Sequence, residues 1–194
     1  MVTTCIRKFV QCRAELDTVL ANAKAQPCPY CKRRGTLNGH GFVYGYGPGS
    51  AAVAVTGRRL YCSSRRKRPG CGRTFMVALA RQLWGRVATT MTLWALLNAL
   101  LKGQTLYANE RLKTCGLSLR SLYRLRARLV FALPQLRTSL LACCAPPPSD
   151  SADPLVQLAM HLLRVFPGDD PVRSWQMQFQ TSIEFRSFRH LDSS

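Results

Sequence analysis

The pattern of apolar and polar positions divides the chain into stretches of different character. Residues 1–24 place apolar side chains at helical spacing between charged ones, which predicts an amphipathic helix. Glycine and proline are frequent over 27–76, where short strand-like pieces predict a small antiparallel sheet. From Val77 onward the pattern is helical. We therefore expect an α+β protein, with short antiparallel strands followed by a helical unit and a C-terminal helical segment.

Several short helices are expected in the helical stretch. Gly85, Gly103 and Gly116 separate them and suit helix ends, because glycine adopts the left-handed conformation without strain. The expected helices cover 77–83, 89–101, 106–114, 118–131 and 135–144. A further helix is expected over 154–166, after a stretch rich in proline and serine.

These elements predict five successive segments. They are an N-terminal amphipathic helix (1–26), a small sheet region (27–76), a helical unit (77–144), a linker (145–153) and a C-terminal docking segment (154–194). The last segment has near-neutral charge and many apolar side chains. It either folds back on the helical unit or docks a partner protein or a second copy, and the sequence leaves both alternatives open.

Positive charge is concentrated in the first three quarters of the chain, and the formal net charge is +19. Between Asp17 and Glu110 there are 14 lysines and arginines and no acidic residue. Such a run of like charges would repel itself in the compact state, so a polyanion is the expected partner. This favours a nucleic acid.

A membrane surface is the rival anion, and the sequence gives it little support. The longest uncharged stretch of interest, 87–101, is shorter than the roughly 20 apolar residues of a membrane span. The first residues lack the apolar core of a secretory signal. We expect a cytoplasmic, DNA-associated protein that does not contact membranes.

The spacing of four of the nine cysteines predicts a metal site. Cys28 and Cys31 form a C-x-x-C pair, and Cys62 and Cys71 follow as a second pair. Two thiolate pairs on two turns satisfy a tetrahedral ion, typically Zn²⁺. A metal would also stabilise a region too glycine-rich to bury a large core. Two alternatives stay open: four ordinary buried thiols, or His40 in place of one cysteine.

A basic run interrupts the second cysteine pair. Eight residues separate Cys62 from Cys71, whereas two are usual in a metal-binding turn. If residues 63–70 are an insertion in the turn, both cysteines still reach the ion and the inserted loop extends outward. We expect the cations of this region to contact DNA phosphates. They are Arg65, Arg66, Lys67, Arg68 and Arg73.

The other five cysteines lack ligand spacing, and we expect them to be buried. They are Cys5, Cys12, Cys115, Cys143 and Cys144. Without an export signal, a disulfide framework is not expected.

The helix expected at 118–131 carries leucines on one side and arginines on the other. Ser118 suits its N-cap, and a short turn at 115–117 separates it from the preceding helix, as in a helix-turn-helix motif. As the reading helix it would face the major groove of DNA. The residues expected to contact DNA are Arg120, Tyr123, Arg124 and Arg128. A solvated basic face on a packing helix is the alternative.

The cysteine pairs, the glycine- and tyrosine-rich strands between them and the motif Cys71-Gly72-Arg73-Thr74-Phe75 resemble the zinc ribbons of insertion-sequence transposases and their small accessory proteins. The resemblance covers residues 27–130. In that family a zinc ribbon is commonly followed by a helix-turn-helix, and both help recognise the ends of the mobile element. The resemblance implies zinc, double-stranded DNA and a separate recombinase or transposase as partners, and it is compatible with a homo-oligomer.

A catalytic set is not recognisable in the sequence. The acidic residues before the linker are Glu15, Asp17 and Glu110, too few and too scattered to hold two catalytic metal ions. The three histidines are also scattered. We therefore expect a DNA-binding accessory protein in transposition or recombination and not an enzyme. The alternatives are a transcriptional regulator with the same modules, an RNA-binding zinc-ribbon protein and a fragment of a catalytic transposase.

Overall fold

A four-stranded sheet and a group of helices belong to two separate units of the chain, Met1–Gln82 and Leu83–Ser194. The computed structural model describes residues 7–46, 53–63, 70–83 and 88–183. The α+β class predicted from the sequence is confirmed. None of the helices within these ranges combines the length and hydropathy that a transmembrane segment requires.

The sheet of the first unit contains four strands in the order β1-β4-β3-β2. Their bounds are Arg7–Val10 (β1), Leu37–Tyr46 (β2), Val53–Cys62 (β3) and Thr74–Leu79 (β4). The pairs β2/β3 and β3/β4 are antiparallel, whereas β1 runs parallel to β4. One α-helix, α1 (Arg13–Ala21), and a short 3₁₀ turn at Ala23–Ala25 precede β2.

The core of the first unit joins α1 to the sheet. Leu16 of α1, Leu37 of β2 and Leu60 of β3 belong to one buried cluster. Cys28 and Cys62 are members of the same cluster. The cysteine-bearing turns are therefore continuous with the hydrophobic core and not appended to its surface.

Two stretches that were expected to be helical are strands. Residues 7–10 form β1, where Phe9 and Val10 are buried, so within the described residues the α-helix expected at 1–26 is limited to α1. Residues 1–6 lie outside the described residues. Residues 77–79 belong to β4, a central strand in which every side chain from Phe75 to Leu79 is buried. A continuous apolar run fits a buried helix and a strand buried on both faces equally well, so periodicity alone did not distinguish them.

The described part of the second unit is helical. Its helices are α2 (Thr90–Leu101), α3 (Glu110–Lys113), α4 (Leu119–Leu141), α5 (Pro154–Val165) and α6 (Pro171–Phe179). Each begins after a residue whose side chain accepts a hydrogen bond from an amide of the first turn. These caps are Thr89, Asn109, Ser118, Asp153 and Asp170.

α4 is longer than the pattern indicated, and α3 is shorter. One continuous helix runs through Pro134, where two helices, 118–131 and 135–144, were expected. Leu136 and Leu140 continue the buried stripe of Leu129 beyond the exposed proline, and this packing keeps the helix continuous. α3 is a single turn, although 106–114 was expected to be helical.

The described C-terminal residues are part of the core of the second unit. Leu158 and Leu162 of α5, and Val172 and Trp175 of α6, are buried in one cluster with the leucines of α2 and α4. Trp175 also donates a hydrogen bond from Nε1 to the Ser139 hydroxyl at 2.7 Å. Residues 154–183 therefore fold back on the helical unit, while 184–194 lie outside the described residues.

Gly57 lies where β3 runs very close to β4, and it provides a test of this packing. A Cβ atom there would lie 2.5 Å from the Val77 carbonyl oxygen, whereas a Cβ on Gly41 of β2 would meet nothing within 4 Å. We expect Gly57→Ala to lower the free energy of unfolding of the sheet by about 1–3 kcal/mol, because the central strands must separate. Gly41→Ala is the matched control and should have a much smaller effect.

Hydrogen–deuterium exchange of the β3 and β4 amides measures this difference. Tryptophan fluorescence would not, because all three tryptophans belong to the second unit. Equal protection in the two variants would contradict the close approach of the strands.

Candidate metal centre

Four cysteine side chains converge where β3 ends and where β2 and β4 begin. The Sγ atoms of Cys28, Cys31, Cys62 and Cys71 all lie within 4.8 Å of one another. Two of the separations, Cys28 to Cys71 and Cys31 to Cys62, are 3.7 Å. A tetrahedral ion with metal–sulfur bonds of about 2.3 Å places its sulfur atoms about 3.8 Å apart. The four thiols therefore fit a single metal ion.

The first cysteine turn, residues 28–33, is closed by two backbone hydrogen bonds. The Cys28 carbonyl accepts from the Lys32 amide at 2.8 Å, and the Cys28 amide donates to the Arg33 carbonyl at 2.9 Å. Lys32 adopts a left-handed conformation with φ of 62°. This conformation turns the chain back after Cys31 and directs both thiols to the same side.

The second cysteine turn, residues 62–73, has the same two hydrogen bonds. The Cys62 carbonyl accepts from the Gly72 amide at 2.9 Å, and the Cys62 amide donates to the Arg73 carbonyl at 2.9 Å. Gly72 is also left-handed, with φ of 69°. In both turns, the residue that follows the second cysteine closes onto the carbonyl of the first, so the two turns are equivalent in spite of their different lengths.

Residues 64–69 account for the difference in length. A Cβ atom on Gly70 would collide with the backbone carbonyl group of Ser63, so the chain returns at Gly70 to the place where it left the turn. Without 64–69 the sequence would read Cys-Ser-Gly-Cys, with the C-x-x-C spacing of the first turn. The geometry agrees with the predicted insertion and narrows it to six residues. Arg65, Arg66, Lys67 and Arg68 lie in this segment, outside the described residues.

Burial and hydrogen bonding affect the two buried thiols differently. Burial raises the pKa of Cys28 to about 12. Burial also acts to raise the pKa of Cys62, but a hydrogen bond with the Thr36 hydroxyl and another from the Cys71 amide outweigh burial and lower this pKa to about 7. Thr36 Oγ1 and the Cys71 nitrogen lie 3.1 Å and 3.3 Å from Cys62 Sγ. A bound ion displaces the thiol protons, so its affinity falls as the pH falls.

The geometry favours a set of metal ligands over the two alternatives for these cysteines. Cys71 is exposed and Cys31 is half-buried, so the four are not ordinary buried thiols. His40 is not among the grouped side chains, and its ring instead contacts the ring of Tyr61 at a centroid distance of 5.6 Å. Four thiolates complete a tetrahedral shell and leave no open position for water or substrate, so an ion bound here would be structural.

Burial was wrongly expected for the remaining cysteines that the structure describes. Cys12 and Cys143 are exposed, and Cys115 and Cys144 are half-buried. All four lie at or just beyond helix ends, where side chains are reached by solvent. Cys5 lies outside the described residues.

Several described cations surround the metal centre. Arg73, predicted to contact DNA, is exposed, and its guanidinium carbon lies 5.2 Å from the centre of the Tyr30 ring. Lys32, Arg33 and Arg34 are exposed at the end of the first turn, and they were not among the residues predicted to contact DNA. The sequence feature that could have identified them is a run of three cations directly after the Cys28–Cys31 pair. The two turns therefore share a basic rim.

The cations predicted to read DNA lie on the second unit. Arg120, Tyr123 and Arg124 are exposed on the first half of α4, and Arg128 is half-buried. The Ser118 hydroxyl caps this helix by accepting from the Ser121 amide at 3.2 Å. The opposite side of the helix is buried through three leucines, Leu122, Leu125 and Leu129. Leu119 was expected with them but is 42% exposed.

Two further arginines of α4 are bound within the second unit. Arg126 pairs with Asp153 at 3.1 Å, and Arg137 donates to the side-chain oxygen of Gln157 at 3.0 Å. Both partners belong to α5 or its N-cap. These two cations are therefore engaged in joining α4 to α5, which periodicity alone did not reveal.

No protein-family model, curated protein or solved structure matches this chain. The functional interpretation consequently depends on the cysteine turns, the exposed cations and the chemistry of the side chains around them.

Removing the first cysteine pair tests the metal centre. We expect wild-type protein to bind one metal ion per chain and Cys28→Ser/Cys31→Ser to bind none, because two thiolates cannot complete the tetrahedral shell. Cys143→Ser, which removes an exposed cysteine of the second unit, is the matched control and should keep the ion. Elemental mass spectrometry of the purified proteins measures the ratio, and metal retained by the double variant would exclude this site.

Shortening the second turn tests its equivalence with the first. Deletion of 64–69 should leave one bound metal ion and change the free energy of unfolding by less than about 1 kcal/mol, because the loop closes on itself at Ser63 and Gly70. Deletion of 63–70 joins Cys62 directly to Cys71 and should abolish binding. Competition with a chromogenic chelator compares the affinities. Loss of metal from the shorter deletion would show that the inserted segment helps to build the turn.

Proposed function

We propose that the protein is a zinc-stabilised DNA-binding accessory protein of a mobile genetic element, acting in transposition or recombination without catalytic activity of its own. The observation that carries this proposal is the position of the basic insertion. Its two ends meet at Ser63 and Gly70, within a turn that two backbone hydrogen bonds close. The sequence between these two residues contains four consecutive cations, Arg65, Arg66, Lys67 and Arg68.

Zinc is the metal that the site favours. A tetrahedral set of four thiolates is typical of zinc or of iron in proteins. The sulfur separations match one ion, whereas a cluster of several irons would require thiolates that are further apart. With zinc in place, the two cysteine turns and the strands β2, β3 and β4 would form a zinc ribbon, in agreement with the resemblance noted in the sequence.

The charge around this centre supports a phosphate backbone as the ligand. The inserted residues 64–69, called the basic loop below, would lie near four cations that are exposed at the two turns. These are Lys32, Arg33, Arg34 and Arg73. The only carboxylates in residues 1–82 are Glu15 and Asp17 of α1, and Asp17 is paired with Arg13. Each contact between one of these cations and a phosphate would release counterions and so favour binding.

In the second unit, we propose that α3, the following turn and α4 form a reduced helix-turn-helix. The capped first half of α4 exposes Arg120, Tyr123 and Arg124. Leu122 and Leu125 on its other side are buried. A reading helix needs such a polar exposed side and an apolar buried side. α3 has only one turn, so the first helix of the motif would be shorter than usual. Contacts from Arg128 are expected only with the DNA backbone.

The proposed partners are double-stranded DNA and a separate recombinase or transposase, and the proposed location is the cytoplasm. Self-association into a homo-oligomer is compatible with the proposal. A transcriptional regulator would use the same two surfaces and differ only in the DNA that it selects. An RNA-binding zinc-ribbon protein would need the basic loop but not the α4 surface.

Neutralising the basic loop tests the proposal. We expect the substitutions Arg65→Ala, Arg66→Ala, Lys67→Ala and Arg68→Ala together to weaken duplex DNA binding and to flatten its dependence on log salt by about 0.9 per lost phosphate contact. The matched control removes four exposed cations elsewhere, Lys24, Lys102, Arg111 and Arg164. The control variant has the same net charge as the loop variant. A larger loss of duplex affinity in the loop variant would therefore indicate direct phosphate contacts and not only the lower net charge.

The same titrations, repeated with structured RNA and with Mg²⁺, separate the alternatives. An unchanged salt slope in the loop variant would exclude the loop as a phosphate-binding element. Tighter binding to RNA than to duplex DNA would favour the RNA-binding alternative. Cleavage of DNA in the presence of Mg²⁺ would contradict a purely accessory role, and iron in place of zinc in the purified protein would contradict the proposed metal.

A further inference from the structure

We propose that a cluster of two exposed aromatic rings and one arginine on the sheet, Phe42, Tyr44 and Arg58, binds unpaired bases of single-stranded DNA. This cluster is distinct from the basic loop and from α4, and it adds a second mode of binding to the duplex recognition proposed above. Only the choice of DNA over RNA rests on that proposed function.

The rings belong to β2, which is an edge strand of the sheet. Phe42 is 47% exposed and Tyr44 is 63% exposed. Their ring centroids are 6.2 Å apart and the rings are tilted by 49°. Two neighbouring rings at a solvent-exposed strand form a platform on which flat apolar groups can stack.

Arg58 of β3 is positioned on this platform. It pairs with Phe42 in the strand register, and its guanidinium carbon lies 4.4 Å from the centre of the Phe42 ring. Gly39 leaves room for the guanidinium, because a Cβ atom there would lie only 3.0 Å from Arg58 Nη2. The arginine is therefore held between the Gly39 backbone and an aromatic face.

The charge of Arg58 has no anionic partner within the described residues. None of the ion pairs there involves Arg58, and its buried Nε atom lacks a hydrogen-bond partner. The residue is half-buried, so its charge is less well hydrated than that of a fully exposed arginine. A partly desolvated cation without a counterion favours an anionic ligand.

A ligand that fits this cluster has an anionic group for Arg58 and a flat group that stacks on an aromatic ring. A nucleotide has both. Its phosphate would pair with Arg58, and its base would stack on the exposed Phe42 or Tyr44 ring. In a duplex, the faces of the bases are covered by neighbouring base pairs, so only unpaired bases can stack on protein rings. The occupant is therefore a single strand, and not the duplex that the basic loop and α4 would contact.

The test is fluorescence anisotropy with labelled oligothymidylate of about 15 nucleotides, within the site sizes known for such platforms. We expect Phe42→Ala/Tyr44→Ala to weaken binding to this strand at least about tenfold, because each base–ring stack contributes substantially to affinity. Binding to a duplex should be unchanged. Phe42→Tyr/Tyr44→Phe keeps both rings and should keep the affinity.

Two controls separate a binding role from a structural one. Tyr107→Ala removes a ring of the second unit that is more exposed than either Phe42 or Tyr44, and it should not alter binding to the single strand. Arg58→Gln should weaken this binding and reduce the slope against log salt by about 0.7, the value of one phosphate contact on a single strand. Metal content of one ion per chain verifies that the first unit of each variant is folded.

The outcomes are distinguishable from those of the duplex experiments. Binding to oligothymidylate but not to duplex would leave this inference standing and overturn the proposed duplex recognition. Duplex binding without oligothymidylate binding would overturn this inference and leave the proposed duplex recognition standing. An equal loss of both ligands in the Phe42/Tyr44 double variant, or no loss of either, would overturn the aromatic platform. A preference for oligouridylate would overturn the choice of DNA.

Discussion

The convergence of four thiols at the end of β3 is the constraint on which the first unit depends. Two of them, on Cys28 and Cys62, are fully buried among the leucines of the core, so the ligand set and the core are one structure. A structural zinc ion in a small domain supplies an apparent binding free energy of about 10–16 kcal/mol at neutral pH. This is comparable to the whole stability of many domains. In a unit rich in glycine and in like charges, a bound ion would add to the hydrophobic core and to the pairing of the strands.

The equivalence of the two cysteine turns explains how a basic insertion is accommodated. Each turn needs only the hydrogen bonds to the first cysteine and a left-handed residue after the second. Residues 64–69 lie between these points in the chain and outside the described residues. Extra residues in a loop with closed ends cost little, because the entropy of loop closure rises only slowly with length. The second turn therefore carries a charged segment in its sequence and keeps the hydrogen bonds and the left-handed residue of the first turn.

The positive charge of the chain is divided among different tasks. Arg126 and Arg137 join α4 to α5, and Arg58 lies against an aromatic ring. Other cations, such as Arg120 and Arg124, are exposed on the surface of α4. Net charge predicts a polyanionic partner but not which cations are available to it. The surfaces that we propose for DNA are those where several cations lie close together in the chain and are not engaged in joining helices.

Local chemistry made much of this protein predictable from its sequence. The α+β class, the helices α2 and α5 and the grouping of four particular cysteines follow from periodicity, capping residues and ligand spacing, which act over a few residues. Tertiary packing decided what such patterns leave ambiguous. Residues 77–79 form a strand because β4 is paired with a strand on each side. α4 continues through Pro134 because Leu136 and Leu140 are buried in the core. The closure of Ser63 on Gly70 and the position of Arg58 over Phe42 join residues that are not neighbours in the chain. They depend on where the strands bring backbone and side chains together, which local pattern does not encode.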